Sequence, residues 1–146
     1  MSDAARPPAV SLAEMNAFFE QGFKSAAAMP KLTRAEEGSV TIELACGEEQ
    51  LRPGGFISGP TQMALADHAA YAAIFTRAGI TPMALTSNLS INFLRPCQGE
   101  VLVAEATIMK FGRASVVVEV DLRAKDAPKP ASHAIVTYVM PKRPEA

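Results

Sequence analysis

The chain has 146 residues, 49% of them apolar and 20% charged, and a formal net charge of −1, which is material for one folded domain with one compact core. The near-neutral charge, the absence of a long basic run and an aromatic complement of seven Phe, two Tyr and no Trp argue against a nucleic-acid partner. No stretch approaches the roughly 20 apolar residues of a membrane span, and residues 1–10 lack the basic-then-apolar order of a signal peptide, so no membrane partner and a cytoplasmic setting are expected.

Residues 1–10, polar with Pro7 and Pro8, read as a flexible lead-in to a single domain over 11–146. Ser11 followed by Glu14 is a capping-box pattern, and Leu12, Met15, Phe18, Phe19 and Phe23 recur at helical spacing, so a short amphipathic helix follows and packs on the core. From Lys31 to Cys46 the period becomes two, with a turn at Glu37-Gly38 and Val40, Ile42 and Leu44 on one face, the pattern of a hairpin. Cys46 and Cys97 stand alone, without metal-site or disulfide-framework spacing, and read as reduced thiols. Residues Gly47 to Gly59, rich in Gly and Pro, form a loop long enough to suggest more than connection.

The run from Pro60 to Phe75 is almost entirely Ala, Met, Leu, Ile, Phe and Tyr, with Ser58 as N-cap, Pro60 in the first turn and Gly79 at the exit. It predicts a helix of about five turns with little surface for water. Asp67 lies in its middle. A carboxylate among Met63, Leu65, Ala66, Ala70 and Ile74 costs several kcal/mol unless it is hydrogen-bonded, so it is either a catalytic group or a satisfied structural acid. Four strands follow, Met83 to Phe93, Val101 to Lys110, Ala114 to Arg123 and Ala131 to Met140, with short connections that predict antiparallel neighbours. The sum is an α+β domain: about six antiparallel strands wrapped around one long helix, with a short N-terminal helix.

Gly59 with Asp67 eight positions later, then Asn88-Leu-Ser-Ile-Asn-Phe-Leu-Arg-Pro96 and Gly99, resembles the hotdog-fold acyl-CoA thioesterases of the phenylacetate-degradation (PaaI-like) type, over roughly residues 30 to 141. The resemblance implies an acyl-CoA substrate, Asp67 as nucleophile or as general base toward water, and the Gly59 backbone N–H as the donor that polarises the thioester carbonyl. A helix N-terminus suits that task, because its unpaired N–H groups and partial positive charge meet the developing oxyanion. Eight helical residues span about 12 Å, too far for both groups to address one carbonyl in one chain, so a shared site and a homodimer, paired again as in similar proteins into a tetramer, are expected. Thr86 matches a hydroxyl residue near the attacking water, and Arg52 falls where relatives carry Asn or Gln. Ser58-Gly59-Pro60 departs from the usual His-Gly-Gly.

Substrate contacts are expected from Arg52, Ser58, Pro60, Tyr71, Asn88, Arg95 and Arg113, with Lys110 as a further cation for coenzyme A phosphates. Tyr71, one turn past Asp67, either donates to that carboxylate or lines the acyl pocket. His68 points about 100° away from Asp67 and reads as a packed residue. No Cys/His cluster or phosphate-cradling loop calls for a metal or cofactor. Two alternatives remain: a non-catalytic protein that binds acyl-CoA or a lipid-like ligand, and a hydratase or dehydratase with His133 working against the carboxylate.

Overall fold

The computed structural model describes residues 5–23 and 29–142. The helix α1 (Leu12–Gly22) starts where expected: Ser11 Oγ accepts from Glu14 N–H at 3.1 Å. The same hydroxyl donates to the Glu14 carboxylate at 3.0 Å. Met15 and Phe19 are its buried face. The expected lead-in docks over its described part: Glu37 N–H donates to Arg6 O at 2.8 Å, Ala9 N–H to Thr76 O at 2.7 Å, and Val10 is buried. Pro7 and Pro8 hold this stretch extended, which lets its few N–H and C=O groups meet the core. Residues 1–4 lie outside the described residues.

The strands β1 (Lys31–Glu36) and β2 (Ser39–Ala45) form the expected hairpin, with Val40, Ile42 and Leu44 buried. The segment expected as plain loop holds a 3₁₀ turn (Glu48–Gln50) and a two-rung ladder of β3 (Leu51–Arg52) with β4 (Phe56–Ile57). Positive φ angles at Gly54 and Gly55 permit its tight reversal.

The central helix α2 (Gly59–Ala78) runs for 20 residues between a Ser58 cap, whose Oγ accepts Thr61 N–H, and Gly79 at φ 80°. Ala66, Ala69, Ala70, Ala72 and Ala73 are fully buried, and these small residues let the sheet approach the helix closely. Gln62 is buried too, but satisfied: its Nε2 donates to Ile57 O at 3.2 Å, and its Oε1 accepts from Ser132 Oγ at 2.7 Å.

The remaining strands are β5 (Leu85–Phe93), β6 (Val101–Phe111), β7 (Ser115–Ala124) and β8 (Ser132–Val139), and the sheet order is β1-β2-β6-β7-β8-β5, all antiparallel. This six-stranded sheet curled about one helix is the hotdog fold. One neighbour relation differs from expectation. The short Leu94–Glu100 connection does not make β5 and β6 a hairpin, and β5 instead pairs with β8 at the far edge. Leu94 and Arg95 N–H both donate to Ala131 O, holding the chain beside β8; Ile57 N–H then takes Cys97 O, and Cys46 N–H takes Glu100 O. The connection thus crosses the sheet end before entering β6. Both cysteines are free, and Cys97 is buried. Among the described residues no helix is long and apolar enough to cross a membrane.

Thr76 ties the helix to the hairpin: fully buried, it accepts Gly38 N–H at 2.8 Å and donates to Ala73 O at 2.6 Å. Thr76→Val keeps the shape but strands the Gly38 donor, so a loss of about 1–3 kcal/mol is expected. Urea denaturation measures it; an unchanged midpoint would mean that water satisfies Gly38.

Candidate functional site

Along α2, Pro60, Met63 and Ala64 are exposed and Asp67 and Tyr71 half-buried, one stripe at helical spacing that the sheet does not cover. The strands complete the surroundings of Asp67. Thr86 of β5 and Tyr138 of β8 stand opposite each other in the ladder, and both reach back to the helix. Thr86 Oγ1 donates to Asp67 Oδ1 at 2.6 Å and Tyr138 Oη donates to the same oxygen at 2.7 Å, lying also 3.1 Å from Asp67 O. These are short, charge-assisted bonds. Asp67 Oδ2 accepts no hydrogen bond among the described residues. Burial first, and the neighbouring carboxylate with it, push the Tyr138 phenol well up, so it stays protonated and has a proton to donate to Asp67.

Asp67 opens on a cavity of about 450 Å³ whose lining includes Phe23, Leu44, Leu65, His68, Tyr71 and Tyr138. That is ample for a small-molecule acyl group. Tyr71 stacks on Tyr138 with centroids 5.7 Å apart, and its hydroxyl donates to Pro82 O at 2.9 Å. Of the two outcomes expected for Tyr71, the wall of the cavity is the one present; the phenol on Asp67 is that of Tyr138. His68 is packed by Phe19 and Phe23 at centroid distances of 4.3 and 5.3 Å. Burial lowers its pKa to about 4, outweighing the opposite pull of Asp67, so the imidazole is neutral at pH 7.

At the other end of the stripe, the α2 N-terminus carries Ser58, Gly59 and Pro60. Ser58 Oγ is engaged in capping, 3.2 Å from Thr61 N and 2.8 Å from Thr61 Oγ1. The Phe93 ring lies over Gly59, where an added Cβ would meet Phe93 Cζ at 3.2 Å.

The family model described as "Thioesterase superfamily" matches residues 54–131, which contain α2, β5 with Thr86, β6 and β7. The chain belongs to the thioesterase superfamily. It is similar to a candidate thioesterase from Silicibacter sp., with 29% identity over 94% of this chain and 96% of that one and a TM-score of 0.85. Zebra fish thioesterase superfamily member 2 gives 20% identity, 91% and 100% coverage and a TM-score of 0.79. A Streptococcus mutans protein solved with acetyl-CoA bound gives 19%, 82% and 94% coverage and 0.70. No curated protein sequence matches.

Within this thioesterase-superfamily domain, the expected site residues divide. Asp67 and Tyr71 line the cavity, and Thr86 joins them through its hydrogen bond to Asp67. Arg52, Ser58, Gly59, Pro60, Asn88, Arg95 and Arg113 are not among its lining residues. Arg52 is exposed on the two-rung ladder, and Arg113, like Lys110, is exposed near the β6–β7 turn. Arg95 donates to Pro130 O. Asn88 is turned away. A bulge between Thr86 and Asn88 breaks the alternation that would have put both on one face, and Asn88 pairs with Thr137 on the outer side of the sheet. His133 also faces outward, 3.3 Å from Glu119, across the sheet from Asp67. Glu119, Asp121 and His133 hold ligand atoms within 4.8 Å of one another on this outer face, with His133 Nε2 3.3 Å from Glu119. Sequence reasoning missed Tyr138. Its signal was the alternation of β8, which aims Tyr138 inward with Ala134 and Val136.

The neutral, buried His68 makes stability depend on pH. Its folded pKa of about 4 lies below the unfolded value of 6.5, so its contribution is complete above pH 6.5 and is lost as pH falls toward 4. The loss amounts to at most about 3 kcal/mol. Thermal unfolding of wild type and His68→Phe at pH 7.5 and pH 4.5 should differ, the variant losing less on acidification; parallel losses would place the imidazole in water.

Proposed function

We propose that the chain is an acyl-CoA thioesterase of the phenylacetate-degradation type, cytoplasmic, which cleaves a small or medium aliphatic or aromatic acyl-CoA to free acid and coenzyme A. The observation that carries this is Asp67: a carboxylate with one oxygen fixed by Thr86 and Tyr138, the other unbonded among the described residues, facing an apolar cavity. The similar Streptococcus mutans structure with acetyl-CoA supports the ligand class.

In the reaction, Asp67 Oδ2 takes a proton from water as that oxygen adds to the thioester carbon, or itself adds to it as nucleophile. The carbonyl oxygen gains a negative charge and is held by the Gly59 N–H at the α2 N-terminus. Collapse expels the coenzyme A thiolate, which takes up the proton held by Asp67 in the first course; in the second, water hydrolyses the acyl–Asp67 anhydride left behind, regenerating the carboxylate and supplying the proton that the thiol carries away. Thr86 and Tyr138 hold the carboxylate in place throughout.

Gly59 and Asp67 are separated by eight residues of one continuous helix, about 12 Å, so the donor comes from Gly59 of the partner subunit. The unpaired edge of β5, with Leu85, Phe93, Leu94 and the uncovered Met63 exposed nearby, supports a homodimer or a dimer of dimers. A second reading, an acyl-CoA-binding protein without turnover, draws on the occupied Ser58 hydroxyl and on the Phe93 ring over Gly59. The hydratase reading loses its candidate base, since His133 pairs with Glu119.

Asp67→Ala should lower thiol release from acyl-CoA by about 10²–10⁴-fold, and Tyr138→Phe less, with the dimer intact. Unchanged turnover in Asp67→Ala removes the catalytic assignment. Mixed dimers test the shared site. Asp67→Ala and Gly59→Val, each weak alone, should regain activity when co-assembled, because one of the two sites is then whole; no regain would put both groups of each site in one chain.

A further inference from the structure

The cavity beside Asp67 is apolar except for a few groups, and most of those are already bonded within the protein. Tyr71 donates to Pro82 O, Tyr138 to Asp67, and Thr61 Oγ1 to Gln50 O. His68 is different. Its Nε2 is buried without a hydrogen-bond partner, and no side-chain hydrogen bond reaches Nδ1 among the described residues. A buried polar atom left unpaired destabilises the fold. An apolar residue at this position, between Phe19 and Phe23, would carry no such cost.

We infer that His68 is the specificity-determining residue of the cavity, selecting an acyl group that carries a neutral hydrogen-bonding substituent, such as a hydroxyl, over a plain hydrocarbon chain. The inference rests on the thioesterase reading of this site and names its substrate class. A neutral imidazole offers one donor and one acceptor, and either tautomer can match a hydroxyl. A carboxylate substituent is disfavoured, because it would be buried close to the charge of Asp67. Phe23 governs access. It is 41% exposed, lines the cavity and also packs on the imidazole, so a change in its rotamer opens the ring nitrogen to a bound acyl group.

The test compares kcat/KM for hexanoyl-CoA with 3-hydroxy- and 6-hydroxyhexanoyl-CoA, in wild type, His68→Phe and His68→Asn, by thiol release. Wild type should favour a hydroxylated substrate by about tenfold, within the range that pairing one buried polar atom is worth. His68→Phe should abolish that preference and His68→Asn should keep part of it. Preference for hexanoyl-CoA in wild type, or a hydroxyl preference that survives in His68→Phe, overturns the inference. Calorimetric binding of the non-hydrolysable S-hexyl-CoA and S-(6-hydroxyhexyl)- and S-(3-hydroxyhexyl)-CoA separates it from the reading beneath. Without thiol release from any substrate the thioesterase reading fails, yet tighter binding of a hydroxylated thioether, lost in His68→Phe, sustains the role of His68; equal or no binding ends it.

Discussion

The carboxylate of Asp67 sits on a helix most of whose surface is covered by sheet, and the arrangement of the strands around it can be understood from the need to keep that charge satisfied. Moving an unpaired carboxylate out of water costs several kcal/mol, and hydroxyl donors recover much of that through charge-assisted bonds. Thr86 and Tyr138 do so only because β5 lies beside β8 with those two residues opposite each other. The bulge after Thr86 then resets the alternation, so that Leu89, Ile91 and Phe93 continue along the inner face while Asn88 and Ser90 turn outward. Strand order, register and bulge all converge on one oxygen atom.

Much of this was legible because it is local. The Ala-rich run between Ser58 and Gly79 carries its own start and stop signals, the alternation of Val40, Ile42 and Leu44 or of Val116, Val118 and Val120 carries its own period, and Asp67 stands out as the polar exception in its run. What was not legible is non-local or too short. The partner of β5 depends on where the Leu94–Glu100 connection is anchored, and those anchors, Ala131 and Ile57, lie far off in sequence. Asn88 and Thr86 are two apart, so period two put them together, and a bulge has no reliable mark in a single sequence. The ladder of Leu51–Arg52 with Phe56–Ile57 has only two rungs, below any pattern a strand search can read. Tyr138 was visible as an inward strand residue, but only the tertiary meeting of β8 with α2 gives its hydroxyl a partner.

The same strand that supplies Thr86 is a free edge of the sheet. Leu85 and Phe93 are 61% and 51% exposed, and Val139, paired with Leu85, is 49% exposed. An edge with unpaired N–H and C=O groups and large apolar side chains invites association unless something covers it. A second copy meeting this edge would cover β5 and the open stripe of α2 together, since both lie on the same side of the fold. The proposed joint action of Gly59 and Asp67 on one carbonyl would need such a meeting on independent grounds, because 20 residues of unbroken helix keep the two groups apart.

Electrostatics add a direction to the proposed reaction. Burial keeps His68 neutral and Tyr138 protonated, so Asp67 is the single formal charge among the residues lining the cavity. A neutral thioester enters such a site without opposing that charge. Hydrolysis replaces it with a carboxylic acid that ionises at neutral pH, and the resulting anion faces Asp67 across a cavity of low polarity, where two like charges repel several times more strongly than in water. A product acid that stays ionised beside that charge is repelled. The product therefore either keeps its proton or leaves. In the proposed reaction the cavity is thus a poor place for the acid that it produces.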